Sequence, residues 1–141
     1  MGFLATDLVP LQSPSPLIPT SKDLQDKIFQ VSRTDTVSSV KAVLAADASI
    51  LAITIHGSSN SNAATTATVT ITVANNSGTI STGTVDVKAN GATTAFVQMT
   101  ALPNLEPRPL TGDITISAVY AETGTASTSG GPWIFDVEFV R

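Results

Sequence analysis

The sequence contains no cysteine and a single histidine, His56. Without cysteine, neither disulfide bonds nor thiolate-bound metals can stabilise the fold. A zinc site is also disfavoured, since one histidine leaves too few nitrogen and sulfur ligands. We therefore expect no metal and no cofactor, while the redox compartment of the protein stays open.

Charged residues are scarce as well. Asp, Glu, Lys and Arg make up 13% of the chain, against about 25% in an average domain. The net charge is −4, and the seven basic residues form no cluster. A nucleic-acid-binding surface needs such a cluster, so we expect no nucleic-acid partner. The polar surface must come from Ser, Thr, Asn and Gln, which is typical of β-rich proteins that pack into large assemblies or work outside cells.

Long apolar runs are missing too. No segment approaches the roughly 18 consecutive apolar residues that a membrane-spanning helix requires, so we expect no membrane partner. Residues 1–9 lack the basic start and the apolar run of a secretory signal. The 141 residues correspond to a single domain of ~100–150 residues, which can bury a core without disulfide or metal support.

The sequence is rich in the alternation that β-strands require. Residues 65–73 read Thr-Thr-Ala-Thr-Val-Thr-Ile-Thr-Val, so Val69, Ile71 and Val73 point to one face and threonines point to the other. β-Branched side chains are stiff at χ1 and suit a pleated surface better than a helix. This stretch is therefore predicted to be a strand with one face in a core.

Similar patterns, separated by turn-forming residues, recur along the chain and predict about eight strands. They cover residues 27–33, 38–45, 49–56, 65–73, 84–88, 95–102, 113–122 and 133–140. We therefore predict an all-β fold over residues 27–141. It should be an antiparallel β-sandwich of the jelly-roll or immunoglobulin-like type.

The alternation also predicts which side chains enter the core. Four of the strands give a defined core-facing set. The sets are Val40, Ala42 and Leu44; Leu51, Ile53 and Ile55; Ile114, Ile116 and Ala118; and Trp133, Phe135, Val137 and Phe139. Because the last set holds the largest aromatic side chains, its strand is predicted to be central rather than an edge.

Turn signals predict two hairpins. The polar loop at residues 57–63 is predicted to join the strands on either side of it. Asn90 and Gly91 both tolerate positive φ, as a type I′ turn requires, and so predict a second, tight hairpin. The residue pairs expected across it are Val87 with Thr94 and Val85 with Phe96.

Residues 1–26 are predicted to form an extended N-terminal arm. Its prolines, Pro10, Pro14, Pro16 and Pro19, remove backbone donors and fix φ, so the arm cannot continue a helix or lie inside a sheet. A short helical turn is predicted only at residues 20–26. The arm is too apolar for a solvated tail, so we expect a neighbouring chain to receive it, although folding back on its own domain stays open. The predicted partner-binding residues are Phe3, Leu4, Leu8, Val9, Leu11, Leu17 and Ile18.

No arrangement of residues in the sequence specifies a reaction. Ser58, Ser59 and Ser61 follow His56 closely, but loop serines are expected from the composition, and a catalytic base also needs an orienting partner. We therefore expect that the protein is not an enzyme.

Two pairs of residues have alternative interpretations. Asp136 and Glu138 fall on one face of a strand, where a solvated surface is a simpler interpretation than a paired-acid site. Trp133 and Tyr120 could stack on a sugar, as in carbohydrate-binding modules, but a core or interface position is favoured. Neither pair identifies a substrate.

The proline-rich stretch at residues 9–20, followed by a Thr/Ser/Ala/Gly-rich β domain without cysteine, resembles tailed-bacteriophage capsid cement (decoration) proteins or related minor virion proteins. The resemblance implies a structural virion protein on the outer capsid surface, made in the host cytoplasm. It also implies a homotrimer whose arm clamps neighbouring subunits of the major capsid protein. The alternative is a carbohydrate- or receptor-binding β-sandwich on a virion or cell surface.

Overall fold

The computed structural model describes residues 23–101 and 112–141. Eight strands and no helix occur within these residues, which confirms the predicted all-β class. The strands are β1 (Leu24–Val31), β2 (Ser39–Leu44), β3 (Ser49–His56), β4 (Thr66–Asn75), β5 (Gly78–Asp86), β6 (Thr94–Phe96), β7 (Ile114–Thr123) and β8 (Trp133–Val140).

The strands form two four-stranded sheets that pack face to face. The first sheet has the order β1-β8-β3-β6 and the second has the order β2-β7-β4-β5. All neighbouring strands are antiparallel. The predicted antiparallel β-sandwich is therefore confirmed.

The pairing pattern also resolves the topology. Strands 1 and 8, 2 and 7, 3 and 6, and 4 and 5 are neighbours, as if one long hairpin closed by the β4–β5 turn had been rolled up. Rolling places alternate pairs in opposite sheets, and this is the jelly-roll arrangement. An immunoglobulin-type sandwich instead pairs its first two strands, whereas β1 here pairs with β8.

The core lies between the sheets and is built by the predicted alternation. Val69, Ile71 and Val73 of β4 are fully buried, and the predicted core faces of β7 and β8 are buried as well. Burying a side chain of this size contributes roughly 1.5–3 kcal/mol. Strand β8 lies between β1 and β3, as predicted for a central strand.

Two β-bulges change the predicted core faces. In β3 the register shifts between Ile50 and Ala52, so Ile50 enters the core and Leu51 is 42% exposed. In β2 it shifts between Val40 and Ala42, and Val40 is 55% exposed. The predicted core positions of Leu51 and Val40 are wrong. A bulge adds one residue to the strand, so the inward and outward positions on its two sides no longer follow a single alternation.

Both predicted hairpins are wrong. Strands β3 and β4 lie in different sheets, and so do β5 and β6. The loops between them cross from one sheet to the other, and neither Asn90 nor Gly91 has a positive φ. The tight hairpin is instead β4–β5, where Asn75 pairs with Gly78.

The chain enters the first sheet earlier than predicted. Leu24 pairs with Val140 and Asp26 with Glu138, so the helical turn predicted at residues 20–26 is wrong where the structure describes it. The predicted arm boundary at residue 26 falls inside β1. The seven predicted partner-binding residues of the arm, from Phe3 to Ile18, lie outside the described residues.

In the part of the chain that the structure describes, no helix has the length and apolar character needed to cross a membrane.

Candidate functional site

The first sheet carries most of the exposed apolar side chains in the described part of the chain. The described residues include eight exposed large hydrophobic side chains, and five of them belong to strands of the first sheet. They are Leu24, Ile28, Leu51, Phe96 and Ile134. Exposed apolar side chains that group on one surface indicate an interaction site.

Strand alternation places a defined set of side chains on the outer face of this sheet. Residues next to buried core positions along a strand must point the opposite way, to solvent. We name this surface the Phe96 face. It comprises Asp26, Ile28, Thr54, His56, Thr94, Phe96, Ile134, Asp136 and Glu138.

One row of side chains crosses all four strands of the Phe96 face. Ile28 lies opposite Asp136, Asp136 opposite Thr54, and Thr54 opposite Phe96. Neighbouring strands are about 4.8 Å apart, so the row is roughly 14 Å long. It has an exposed apolar side chain at each end and a carboxylate between them.

The two ends of the row are well exposed. Phe96 is 73% and Ile28 is 64% accessible to solvent. Covering side chains of this size would release about 1.5–3 kcal/mol each. The protein therefore presents surface that gains free energy when a partner covers it.

Phe96 lies on β6, a short strand at the edge of the sheet that hydrogen bonds hold at both ends. All three residues of β6 are exposed. The N–H of Val97 donates to the carbonyl oxygen of Ile53 at 2.8 Å, and Val97 itself is buried in the core. At the other end of β6, the N–H of Gly57 donates to the carbonyl oxygen of Thr93 at 2.8 Å. These contacts position the ring of Phe96 above the sheet.

An open groove of about 350 Å³ adjoins Phe96 on the side of β8. Its lining consists of Thr54, His56, Thr94, Ala95, Phe96, Asp136 and Glu138. An aromatic ring, hydroxyl groups, an imidazole and two carboxyl groups therefore face one shallow space. This combination suits a polar or cationic group that carries some apolar surface.

The carboxyl group of Asp136 has an unfavourable environment. Its Oδ1 atom is buried and has no hydrogen-bond partner among the described residues. Burial raises the pKa of Asp136 most. The negative charge of Asp26, a hydrogen bond to the Asp26 carboxyl group that favours the protonated form, and the charge of Glu138 raise it further, while His56 lowers it. The negative charge of Asp136 is thus disfavoured on the Phe96 face, and His56 offsets this effect only in part.

The ion pairs found in the described residues lie elsewhere. Lys41 contacts Asp35 at 3.1 Å, and Arg141 contacts Asp47 at 2.9 Å. Neither pair includes a residue of the Phe96 face. No group of three or more His, Cys, Asp or Glu residues within residues 23–101 and 112–141 is placed to hold a metal ion.

His56 and Ser61 have different environments in the structure. His56 ends β3 and is exposed on the Phe96 face. Ser61 is buried, and its Oγ lies 2.8 Å from the hydroxyl oxygen of Tyr120. The carbonyl oxygen of Ser59 accepts a hydrogen bond from the indole of Trp133. The Ser61 hydroxyl group and the Ser59 backbone therefore hold the loop against the core.

Trp133 and Tyr120 do not form a sugar platform, which was the less favoured interpretation of this pair. The two side chains are 0% and 1% exposed and stack on each other with ring centroids 5.5 Å apart. They form part of the core, the position that the sequence favoured. Among the described residues, the exposed aromatic side chain is Phe96. The sequence did not reveal this exposure, because the predicted hairpin placed Phe96 opposite Val85.

The chain matches no protein-family model, and a search of the curated proteins finds no match either. A fold alone does not define a function. The function must therefore be argued from the Phe96 face and from the arm.

Proposed function

We propose that this protein is a structural component that binds and stabilises a protein assembly, acting as a capsid cement or decoration protein on the outer surface of a phage virion. The observation that carries the proposal is the Phe96 face, where exposed Phe96 and Ile28 flank the carboxyl group of Asp136. The buried Oδ1 atom of this group has no hydrogen-bond partner among the described residues. A surface of this kind suits a protein partner, since the core of an interface combines apolar contacts with a few polar anchors.

The fold is consistent with this proposal. Jelly rolls with two four-stranded sheets occur in viral capsid and lectin domains. This is an analogy at the level of the fold, and it does not by itself assign a function. It raises the expectation of a binding role, and the Phe96 face supplies a surface for it.

The arm provides a second point of attachment in the proposal. It leads directly into β1, which lies at the edge of the first sheet. An extended arm can add a strand to a neighbour's sheet, where backbone hydrogen bonds provide affinity. Ordering its backbone costs about 1–2 kcal/mol per residue, and the prolines reduce this loss by restricting the free chain.

We propose that the partner is the major capsid protein and that the cement protein is a homotrimer. Symmetric repetition would then combine several weak contacts into tight overall binding. The arm residues Phe3, Leu4, Leu8, Val9, Leu11, Leu17 and Ile18 would supply apolar contacts in the clamp.

The proposal is tested by removing the arm. A variant that lacks residues 2–19 should keep the circular dichroism spectrum of a β-sandwich but fail to sediment with the capsid particles that bind the full chain. Light scattering coupled to size exclusion measures the oligomeric state, and a trimer is expected. Undiminished attachment of the truncated variant would exclude the arm as a clamp.

A carbohydrate- or receptor-binding module is the second candidate. Phe96 favours it, because an exposed ring beside the carboxyl groups of Asp136 and Glu138 is one way to hold a sugar. This candidate predicts that the protein binds glycans on an array and that Phe96→Ser removes the binding. The cement function predicts attachment to capsids without glycan binding.

A further inference from the structure

We infer that the Phe96 face receives a basic side chain, arginine or lysine, from an extended segment of a protein partner. The cation would lie between the ring of Phe96 and the carboxyl groups of Asp136 and Glu138. This inference rests on the proposed function, because it specifies the chemistry of the surface to which the protein attaches.

The first argument is charge. Asp26 and Glu138 lie close enough to Asp136 on β1 and β8 for their charges to raise its pKa, and a hydrogen bond to the Asp26 carboxyl group adds to the rise. His56 is the one group on the Phe96 face that opposes them. The buried Oδ1 atom of Asp136 has no hydrogen-bond partner among the described residues. A cationic donor would satisfy this oxygen with a charge-assisted hydrogen bond, the strong form of this contact.

The second argument is the position of Phe96. Its ring lines the same groove as Asp136 and Glu138. Cations are attracted to the face of an aromatic ring within about 6 Å of its centroid. The aliphatic part of an arginine or lysine side chain would meanwhile cover apolar surface of the ring. One side chain can therefore use both features of the groove.

The third argument is spacing. The row from Ile28 through Asp136 and Thr54 to Phe96 is roughly 14 Å long, three times the strand separation. An extended chain advances about 3.3 Å per residue, so residues four apart are ~13 Å apart and their side chains point the same way. A segment with the pattern apolar-X-basic-X-apolar would cover Ile28 and Phe96 and place its cation above the middle of the row.

Two other occupants fit less well. A second copy of the Phe96 face would bring the same carboxyl groups together, and like charges across an interface are unfavourable. The protein's own arm has Lys22 as its single basic side chain within residues 1–22, and it also contains Asp7. The charge of the face therefore favours a different chain with a basic residue.

The test uses the full-length protein labelled with ¹⁵N and the peptide Ac-Leu-Ser-Arg-Ser-Leu-NH₂. The matched control peptide carries citrulline, which keeps the shape of arginine and removes its charge. We expect amide shifts to concentrate at residues 54, 96 and 136. The citrulline peptide should bind about tenfold more weakly or worse, the ratio expected for loss of a charge-assisted hydrogen bond.

Protein variants locate the site. Asp136→Asn and Phe96→Ser should each weaken the arginine peptide several-fold. Matched controls are Asp113→Asn, an exposed acid outside the face, and Val43→Ser, an exposed apolar residue of the second sheet. Both controls should bind as the unmodified protein does. The spectrum of each variant shows directly whether it has folded.

Several results would overturn the inference. Equal affinity for the arginine and citrulline peptides would exclude a cation site. Amide shifts at residues outside the Phe96 face would show that the peptide binds elsewhere. Tighter binding of a peptide of residues 1–22 on this face would identify the arm as the occupant. Concentration-dependent association that Phe96→Ser abolishes would identify a second copy.

The peptide test and the capsid test distinguish a failure of this inference from a failure of the proposed function. If the full chain sediments with capsids but no basic peptide binds, the proposed function stands and this inference falls. If the arginine peptide binds but the full chain does not sediment with capsids, the cation site stands and the cement function falls.

Discussion

A methyl group added at Gly91 would lie 2.6 Å from the indole nitrogen of Trp133, and it would also collide with the carbonyl oxygen of Val87. That indole nitrogen donates a hydrogen bond to the carbonyl oxygen of Ser59 at 2.8 Å. The loop after β5 and the loop after β3 therefore meet over the tryptophan that begins β8. Glycine is required at position 91 by this close approach and not by its φ angle.

The first prediction concerns this contact. Gly91→Ala should lower the free energy of unfolding by about 2 kcal/mol or more, because overpacking at a site without free space forces backbone to move. Urea denaturation followed by tryptophan fluorescence measures the loss, since Trp133 is the single tryptophan. Ala92→Ser, at the neighbouring exposed position, is the control and should change stability by less than about 0.5 kcal/mol. Equal stabilities of the two variants would contradict the close packing.

The second prediction concerns the hydroxyl group of Tyr120. This group lies 2.8 Å from Oγ of Ser61 and 3.2 Å from Oγ of Ser127 inside the protein. Tyr120→Phe keeps the ring that stacks on Trp133 but leaves both serines without this partner, so it should cost about 1–3 kcal/mol.

A double-mutant cycle separates the hydrogen bond from general packing. Ser61→Ala combined with Tyr120→Phe should cost clearly less than the sum of the single changes, since partners in one network are not additive. Additive losses would show that the hydroxyl groups do not interact.

The sequence predicted the parts of the fold that depend on local alternation. Strands β4, β7 and β8 have continuous two-residue periodicity, and their core faces are as predicted. It failed at Leu51 and Val40, because a bulge depends on the geometry of the whole sheet. No residue type within the strand marks its position.

Pairing between strands was harder to predict than the strands themselves. Asn90 and Gly91 carry a strong hairpin signal, yet they lie in a loop that passes between sheets. A turn signal predicts that the chain bends, but it does not predict which sheet the next strand joins. Here the loop packs against Trp133 and β6 joins the first sheet. The same error hid the exposure of Phe96, since its neighbours across the sheet come from a distant strand, β3.

The third prediction concerns Asp35, in the turn between β1 and β2. A hydrogen bond from the N–H of Ser32 lowers the pKa of Asp35, and the ammonium group of Lys41 lowers it further against the effect of burial. Asp35→Ala should cost about 1–3 kcal/mol at pH 7, the range for removing one partner of a hydrogen bond that is at least partly buried.

The pH dependence of Asp35 has a definite sign. The carboxyl binds protons less readily in the folded state than in the unfolded state, so its stabilisation is complete above the ordinary pKa of 3.8. Stability is lost as the pH falls through the lowered pKa of the folded state. The difference between the unmodified protein and Asp35→Ala should therefore shrink toward acidic pH, as thermal melts will show. A constant difference would mean that the charge of Asp35 does not contribute.

The fourth prediction concerns Asp136 and has the opposite sign. Burial raises the pKa of this carboxyl, as do the charges of Asp26 on β1 and Glu138 on β8, while His56 on β3 opposes them. The folded state then holds a proton at pH values where the unfolded state has released it. Asp136 therefore reduces stability as the pH rises from the ordinary value of 3.8 through the raised pKa, and the penalty persists above it.

Replacing this charge should stabilise the free protein while weakening its binding. Asp136→Asn should raise the free energy of unfolding at pH 7 by up to about 0.5 kcal/mol, the scale of a like-charge pair in a sheet. Asp113→Asn should have no such effect. The gain should disappear at acidic pH, where the carboxyl of the unmodified protein is itself protonated. A more stable Asp136→Asn variant with weaker peptide binding would indicate that the charge is kept for a partner, and a less stable one would contradict the unfavourable environment of Asp136.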